Sequence, residues 1–170
     1  MAAVSEATVN RLHFAVAVVA LWLVGTSPWI AMLRRVPASA GWLDRAHVLV
    51  GLAAMLLGVL YAVACSLRGG WRRLFPWLAG GMAGVGADLA GLLRGQMPSA
   101  EGAGLFSAIE GLLLLAFVVA GIAGAGWYLA QGGESALAWR SVHVVAARGL
   151  VGLLVLHVAA VASHLLDLAR

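Results

Sequence analysis

Five histidines stand in this chain of 170 residues, and four of them fall at matching positions near the ends of three long apolar runs. His13 opens the first run, His47 opens the second, and His143 and His157 lie fourteen residues apart in the last. A neutral imidazole is a poor tenant of a lipid-facing helix, so four at two matching depths point to two facing pairs. A pair of facing imidazoles is what a six-coordinate haem iron takes as axial ligands. The chemistry expected from this constellation is electron transfer inside a membrane.

The elements that must position those histidines follow from composition. Hydrophobic residues make up 63% of the chain and charged residues 11%, against about 25% charged in a soluble domain. The mean hydropathy is +0.98. The expectation is an all-α integral membrane protein, a four-helix transmembrane bundle forming one domain over residues 1–170. Four runs reach the roughly 20 residues needed to cross hydrocarbon, which gives helices at about 12–34, 46–67, 106–130 and 141–168. Residues 74–93 are apolar too, but contain Pro76, five glycines and Asp88. Gly and Pro weaken a helix and a mid-membrane carboxylate is costly, so this stretch is expected to be an interfacial or re-entrant helix between helices 2 and 3 rather than a fifth crossing.

All eleven basic residues are arginine, and the net charge is +4. No soluble segment exists to carry a basic face, which excludes nucleic-acid binding; the charge informs topology and anionic-lipid contact instead. With four crossings, Arg11, Arg68, Arg72, Arg73, Arg94 and Arg170 fall on one side, and Arg34, Arg35, Arg45 and Arg140 on the other. The bias favours both termini in the cytoplasm, in a bacterial inner membrane. Residues 1–10 hold Glu6 and no basic residue, so they do not read as a cleaved signal. The single cysteine, Cys65, allows no disulfide within the chain and no C-x-x-C-H attachment site, so any haem is held non-covalently.

Depth then assigns the pairs. Fourteen residues at about 1.5 Å each put His157 about 21 Å from His143 on nearly the same face of the last helix. With four crossings His13 meets His157 near the cytoplasmic side and His47 meets His143 near the other; a fifth crossing would exchange partners and still leave two pairs. Arg148, five residues past His143, needs an anionic partner inside a membrane. A haem propionate suits a guanidinium, and snorkelling to the surface is the alternative. His164, seven residues beyond His157, is open to several roles: proton relay, propionate contact, quinone-site group, substitute ligand or plain interfacial residue. Glu110 at the start of the third run is either a proton-uptake group or a headgroup-facing acid. Gly51, Gly58, Gly121, Gly124, Gly126, Gly149 and Gly152 permit close approach of helices or of a porphyrin.

The residues that carry these features also carry a resemblance. Arg11-Leu12-His13-Phe14 opening the first helix, Arg45-Ala46-His47 with Gly51 opening the second, and His157-Val-Ala-Ala-Val-Ala-Ser-His164 closing the last resemble the prokaryotic cytochrome b561 family. They resemble too its relatives, the membrane cytochrome b subunits of hydrogenases, formate dehydrogenases and thiosulfate reductases. The resemblance implies two b haems ligated by His13, His47, His143 and His157, and electron exchange with quinone. Glu110 stands where some relatives have histidine. The segment with Trp71-Arg72-Arg73-Leu74 and Asp88-Leu89 is more similar to the dehydrogenase-anchor subunits than to free-standing b561 proteins.

Three functions compete. The first is a di-haem carrier passing electrons between a periplasmic donor, or a partner redox subunit, and the quinone pool. The second is a stand-alone superoxide:quinone oxidoreductase, which needs a positive edge to attract the anion. The third is a haem-free structural or transport bundle. No nucleophile with a base, metal-hydrolase spacing or phosphate loop occurs, so chemistry beyond electron and proton transfer would belong to the cofactors.

Overall fold

In the computed structural model, residues 4–98 and 102–168 are described, with side chains through Ser163. Seven α-helices follow one another: α1 Glu6–Thr26, α2 Trp42–Leu67, α3 Trp71–Leu74, α4 Pro76–Ala79, α5 Met82–Leu92, α6 Leu105–Leu129 and α7 Ala136–Leu168, with a 3-10 turn, Ser27–Trp29, after α1. Four of these are long and apolar enough to cross a membrane: α1 with its 3-10 turn, α2, α6 and α7. The chain is an all-helical four-span membrane bundle.

The helix ends show where run length misleads as a boundary rule. The first helix was expected over 12–34, yet α1 begins at Glu6 and ends at Thr26. Ser5 starts it by accepting the Thr8 amide at 3.1 Å, a side-chain N-cap. Its far end is set by Pro28, which has no amide to continue the ladder; the chain tightens into the 3-10 turn Ser27–Trp29 and becomes extended at Ile30. Residues 30–33 are apolar but leave the helix. α2 and α7 start four and five residues before their expected positions, because a helix continues past a charge once it reaches the interface. At α2 the Gly41 amide donates to Asp44 Oδ2 at 3.2 Å.

The connecting segment forms three short helices rather than one. Phe75 and Pro76 separate α3 from α4, and Gly80, in the left-handed region at φ 73°, ends α4. α5 is 11 residues, about 16 Å, half a crossing. Asp88, costly in hydrocarbon if unpaired, accepts the Leu105 amide at 2.7 Å through Oδ2. It thereby caps the start of α6.

α6 packs against α7, α2 and α3, while α1 packs against α2. Small residues make the contacts. A side chain on Gly111 would meet the Leu74 carbonyl, and one on Gly58 would meet the Phe117 ring at 2.8 Å. Large apolar side chains point outward, Leu49, Leu56, Val145 and Val155 among them. In water that surface would be a liability; in lipid it is what the solvent requires, and close packing of small residues supplies the association.

Candidate functional site

One buried layer fixes the histidine depths. Ala20 of α1, Ala54 of α2, Phe117 of α6 and Leu150 of α7 form a single cluster. His13 stands seven residues from Ala20, His47 seven from Ala54, and His143 and His157 seven on either side of Leu150. Seven residues are two helical turns, about 10 Å. α1 runs from His13 past Ala20 to Thr26, whose hydroxyl lies 3.5 Å from His47 Nδ1, so His47 is on the far side of the layer from His13. α7 begins on that far side with His143 and passes through the layer to His157.

The structure brings His47 and His143 onto one cavity of about 560 Å³ between α1, α2, α6 and α7. Hydrogen bonds set the tautomer of each ring. His143 Nδ1 stands 2.8 Å from the Ala120 carbonyl, and an N–H must donate there, which leaves Nε2 with a free lone pair. The Thr26 hydroxyl donates to the Trp22 carbonyl at 2.8 Å, so toward His47 Nδ1 its oxygen can only accept. An Nδ1–H on His47 facing that oxygen would leave its Nε2 free as well. Both imidazoles are prepared as metal ligands on one cavity.

The rest of the lining suits a flat, largely apolar group. Gly51, Gly121 and Gly124 line the cavity. At Gly124 a Cβ would come within 3.2 Å of His143 Nδ1, and at Gly121 within 2.8 Å of Met55. Among the described residues no three or more His, Cys, Asp or Glu cluster to hold a bare metal ion. Two imidazoles on one cavity, with no cluster of three such ligands among the described residues, fit a metal that arrives with its own ring of donors.

The other sequence-derived candidates divide. His13 is exposed and stacks on Tyr61, ring centroids 5.6 Å apart at 15°. His157 is partly buried, and its Nδ1 is buried without a hydrogen-bond partner; an orphaned buried nitrogen is costly unless a ligand completes it. Neither lines the His47–His143 cavity. Arg148 does line it. The side chain of His164 lies outside the described residues. Glu110, open by sequence to proton uptake or to headgroup contact, pairs with Arg73 at 3.2 Å.

Sequence reasoning missed Arg140 and the segment that it holds. Arg140, grouped by sequence with Arg34, Arg35 and Arg45 on the side where a positive haem edge would lie, lines the same cavity, and its Nε donates to the Met32 carbonyl at 2.8 Å. Trp127 Nε1 donates to the Leu33 carbonyl at 2.8 Å, and the Gly132 amide to the Arg34 carbonyl at 2.9 Å. These bonds strap residues 30–36 onto the α6–α7 end. The spacing Arg140-x-x-His143, one turn on one face, was the available signal.

The family described as prokaryotic cytochrome b561 has a model that matches residues 5–168. Curated proteins and solved structures give no match to the chain.

Proposed function

From the premise that the chain belongs to the prokaryotic cytochrome b561 family, and so is a membrane electron-transfer protein that binds b-type haem, we propose that it holds two non-covalent b haems and passes electrons between a donor and the quinone pool. His47 and His143 are the axial ligands of one haem. His13 and His157 are those of the other. Arg148 contacts a propionate, and His164 belongs to the cytoplasmic end, where quinone docks.

The observation that carries this reading is the pair of imidazoles on one cavity, with His143 Nδ1 committed to the Ala120 carbonyl and His47 Nδ1 facing the Thr26 hydroxyl. The orphaned His157 Nδ1 supports the second site, as does the two-turn spacing of all four histidines from one apolar layer. Haem, when bound, supplies one-electron exchange at its iron. The chain's own part is to orient the imidazoles, keep water from the apolar layer and separate the two ligand pairs by about 20 Å, four helical turns. The donor is a periplasmic protein or a partner redox subunit, the membrane is the bacterial inner membrane, and the arginine distribution puts the N-terminus in the cytoplasm.

A pyridine haemochrome assay on the purified chain tests the count. Two haems per chain are expected, with His143→Ala and His157→Ala each losing one. One haem in the unaltered chain would reduce the proposal to a single pair; none would end it. Co-purification with a redox subunit supports the carrier role, and turnover of superoxide by the isolated protein would replace it with the oxidoreductase.

A further inference from the structure

The His47–His143 cavity carries a charge imbalance. Arg140 and Arg148 both line it, and among the described residues lining it none is acidic. The acids that form ion pairs among the described residues, Glu6 and Glu110, are engaged by Arg68 and Arg73. A guanidinium inside a membrane protein calls for an anionic partner, and among the described residues no ion pair engages either of these two. Arg140 is further constrained. It is partly buried, and its Nε is committed to the Met32 carbonyl at 2.8 Å, which fixes the plane of the fork and leaves the Nη nitrogens to face other groups. It stands one turn before His143, toward the start of α7 at Ala136 and so toward the membrane edge, where the polar rim of a ligand belongs.

We propose that Arg140 binds a carboxylate of the ligand held by His47 and His143, with its Nη pair as donors, while its Nε fastens the 30–36 strap across the same cavity. The proposal rests on the haem reading of that cavity, in which the carboxylate is a propionate. It gives Arg140 a specific contact, and it couples the strap to occupancy. Arg148, five residues past His143, serves the second carboxylate. Arginine suits the role because its planar fork offers one edge to the strap and another to the carboxylate at once, which a lysine cannot do.

The test reconstitutes the full-length apoprotein in detergent with haem b and, separately, with its dimethyl ester, in which both carboxylates are blocked. The unaltered chain should bind haem b about tenfold or more tightly than the ester, the size expected of a charge-assisted contact. Arg140→Gln should weaken haem b by about that factor more than it weakens the ester, because loss of the strap bond touches both ligands and loss of the fork only haem b, and so shrink the difference. Trp127→Phe, which loosens the strap without removing charge, should affect both ligands equally.

Equal weakening of both ligands by Arg140→Gln would overturn the carboxylate contact and leave only the strap role. An undiminished preference for haem b would overturn it as well. If Arg140→Gln does not accumulate, Arg140→Lys keeps the charge and should show an intermediate preference; a full preference there would equally refute the fork argument. A His143→Ala chain that binds both ligands as the unaltered chain does would refute the haem reading of the cavity itself, a distinct failure.

Discussion

His143 Nδ1 lies 2.8 Å from the carbonyl oxygen of Ala120, across the α6–α7 interface. A mid-helix carbonyl already accepts within its own helix and has one lone pair to spare. By spending it on His143, α6 fixes the ring's tautomer and leaves Nε2 uncommitted. Gly124, one turn further along α6, leaves the space that the ring needs.

That space gives the first prediction. Gly124→Val would bring a branched side chain against His143, since even a Cβ there comes within 3.2 Å of Nδ1. The ring would be pushed off the Ala120 carbonyl, and the chain should lose one haem while still inserting. Gly149→Ala, whose Cβ would meet nothing within 4 Å, should leave the haem content unchanged. A pyridine haemochrome assay on both variants decides.

Layer packing gives the second. A Cβ on Gly58 would meet the Phe117 ring at 2.8 Å, and Phe117 belongs to the layer midway between the histidine pairs. Gly58→Ala should destabilise the bundle by roughly 1–3 kcal/mol, the usual cost of overpacking. Thermal unfolding in detergent would show it as a lowered midpoint. An unchanged midpoint would mean that α2 and α6 can slide apart at no cost.

Asp88 gives the third. Its carboxylate caps α6 at the Leu105 amide, so Asp88→Ala should cost about 1 kcal/mol, with Asp88→Asn losing much less because it keeps an acceptor. Thermal midpoints of the two variants should separate in that order. Equal losses would show that charge, and not the cap, is what matters.

The Arg73–Glu110 pair gives the fourth. The contact is 3.2 Å, with side chains 53% and 33% exposed, and pairs this open are worth about 0–1 kcal/mol. Glu110→Gln should therefore barely move the unfolding midpoint and should keep both haems. Loss of pigment in that variant would draw Glu110 into the cofactor environment and contradict a role confined to its pairing with Arg73 of α3.

The strap gives the fifth. Trp127→Phe removes the Nε1 donor to the Leu33 carbonyl and should cost about 1 kcal/mol. Faster hydrogen exchange at residues 32–36 is the measurement, with the helices unaffected. Unchanged exchange would show that the Arg140 and Gly132 bonds hold the strap alone.

The sequence by itself determined the solvent, the number of crossings and the depth of each histidine. These are one-dimensional quantities. A run of about 20 apolar residues must span the hydrocarbon, and spacing along a helix converts directly to depth, so two pairs could be read before any packing was known, with His47 matched to His143 for four crossings and to His157 for five. Gly and Pro likewise marked the connecting segment as unable to cross, though not its division into α3, α4 and α5.

Tertiary structure alone decided what lies beside what around the helix axes. Which carbonyl orients His143, which arginine faces the cavity and which acid caps α6 depend on helix rotation and on contacts across long stretches of chain. Arg140 meets Met32 across 108 positions, Trp127 meets Leu33 across 94, and Glu110 meets Arg73 across 37. No local pattern encodes such pairings, because they arise from small residues letting helices close on one another. Composition sets the helices in the membrane; the packing of Gly and Ala against their neighbours sets the cavity.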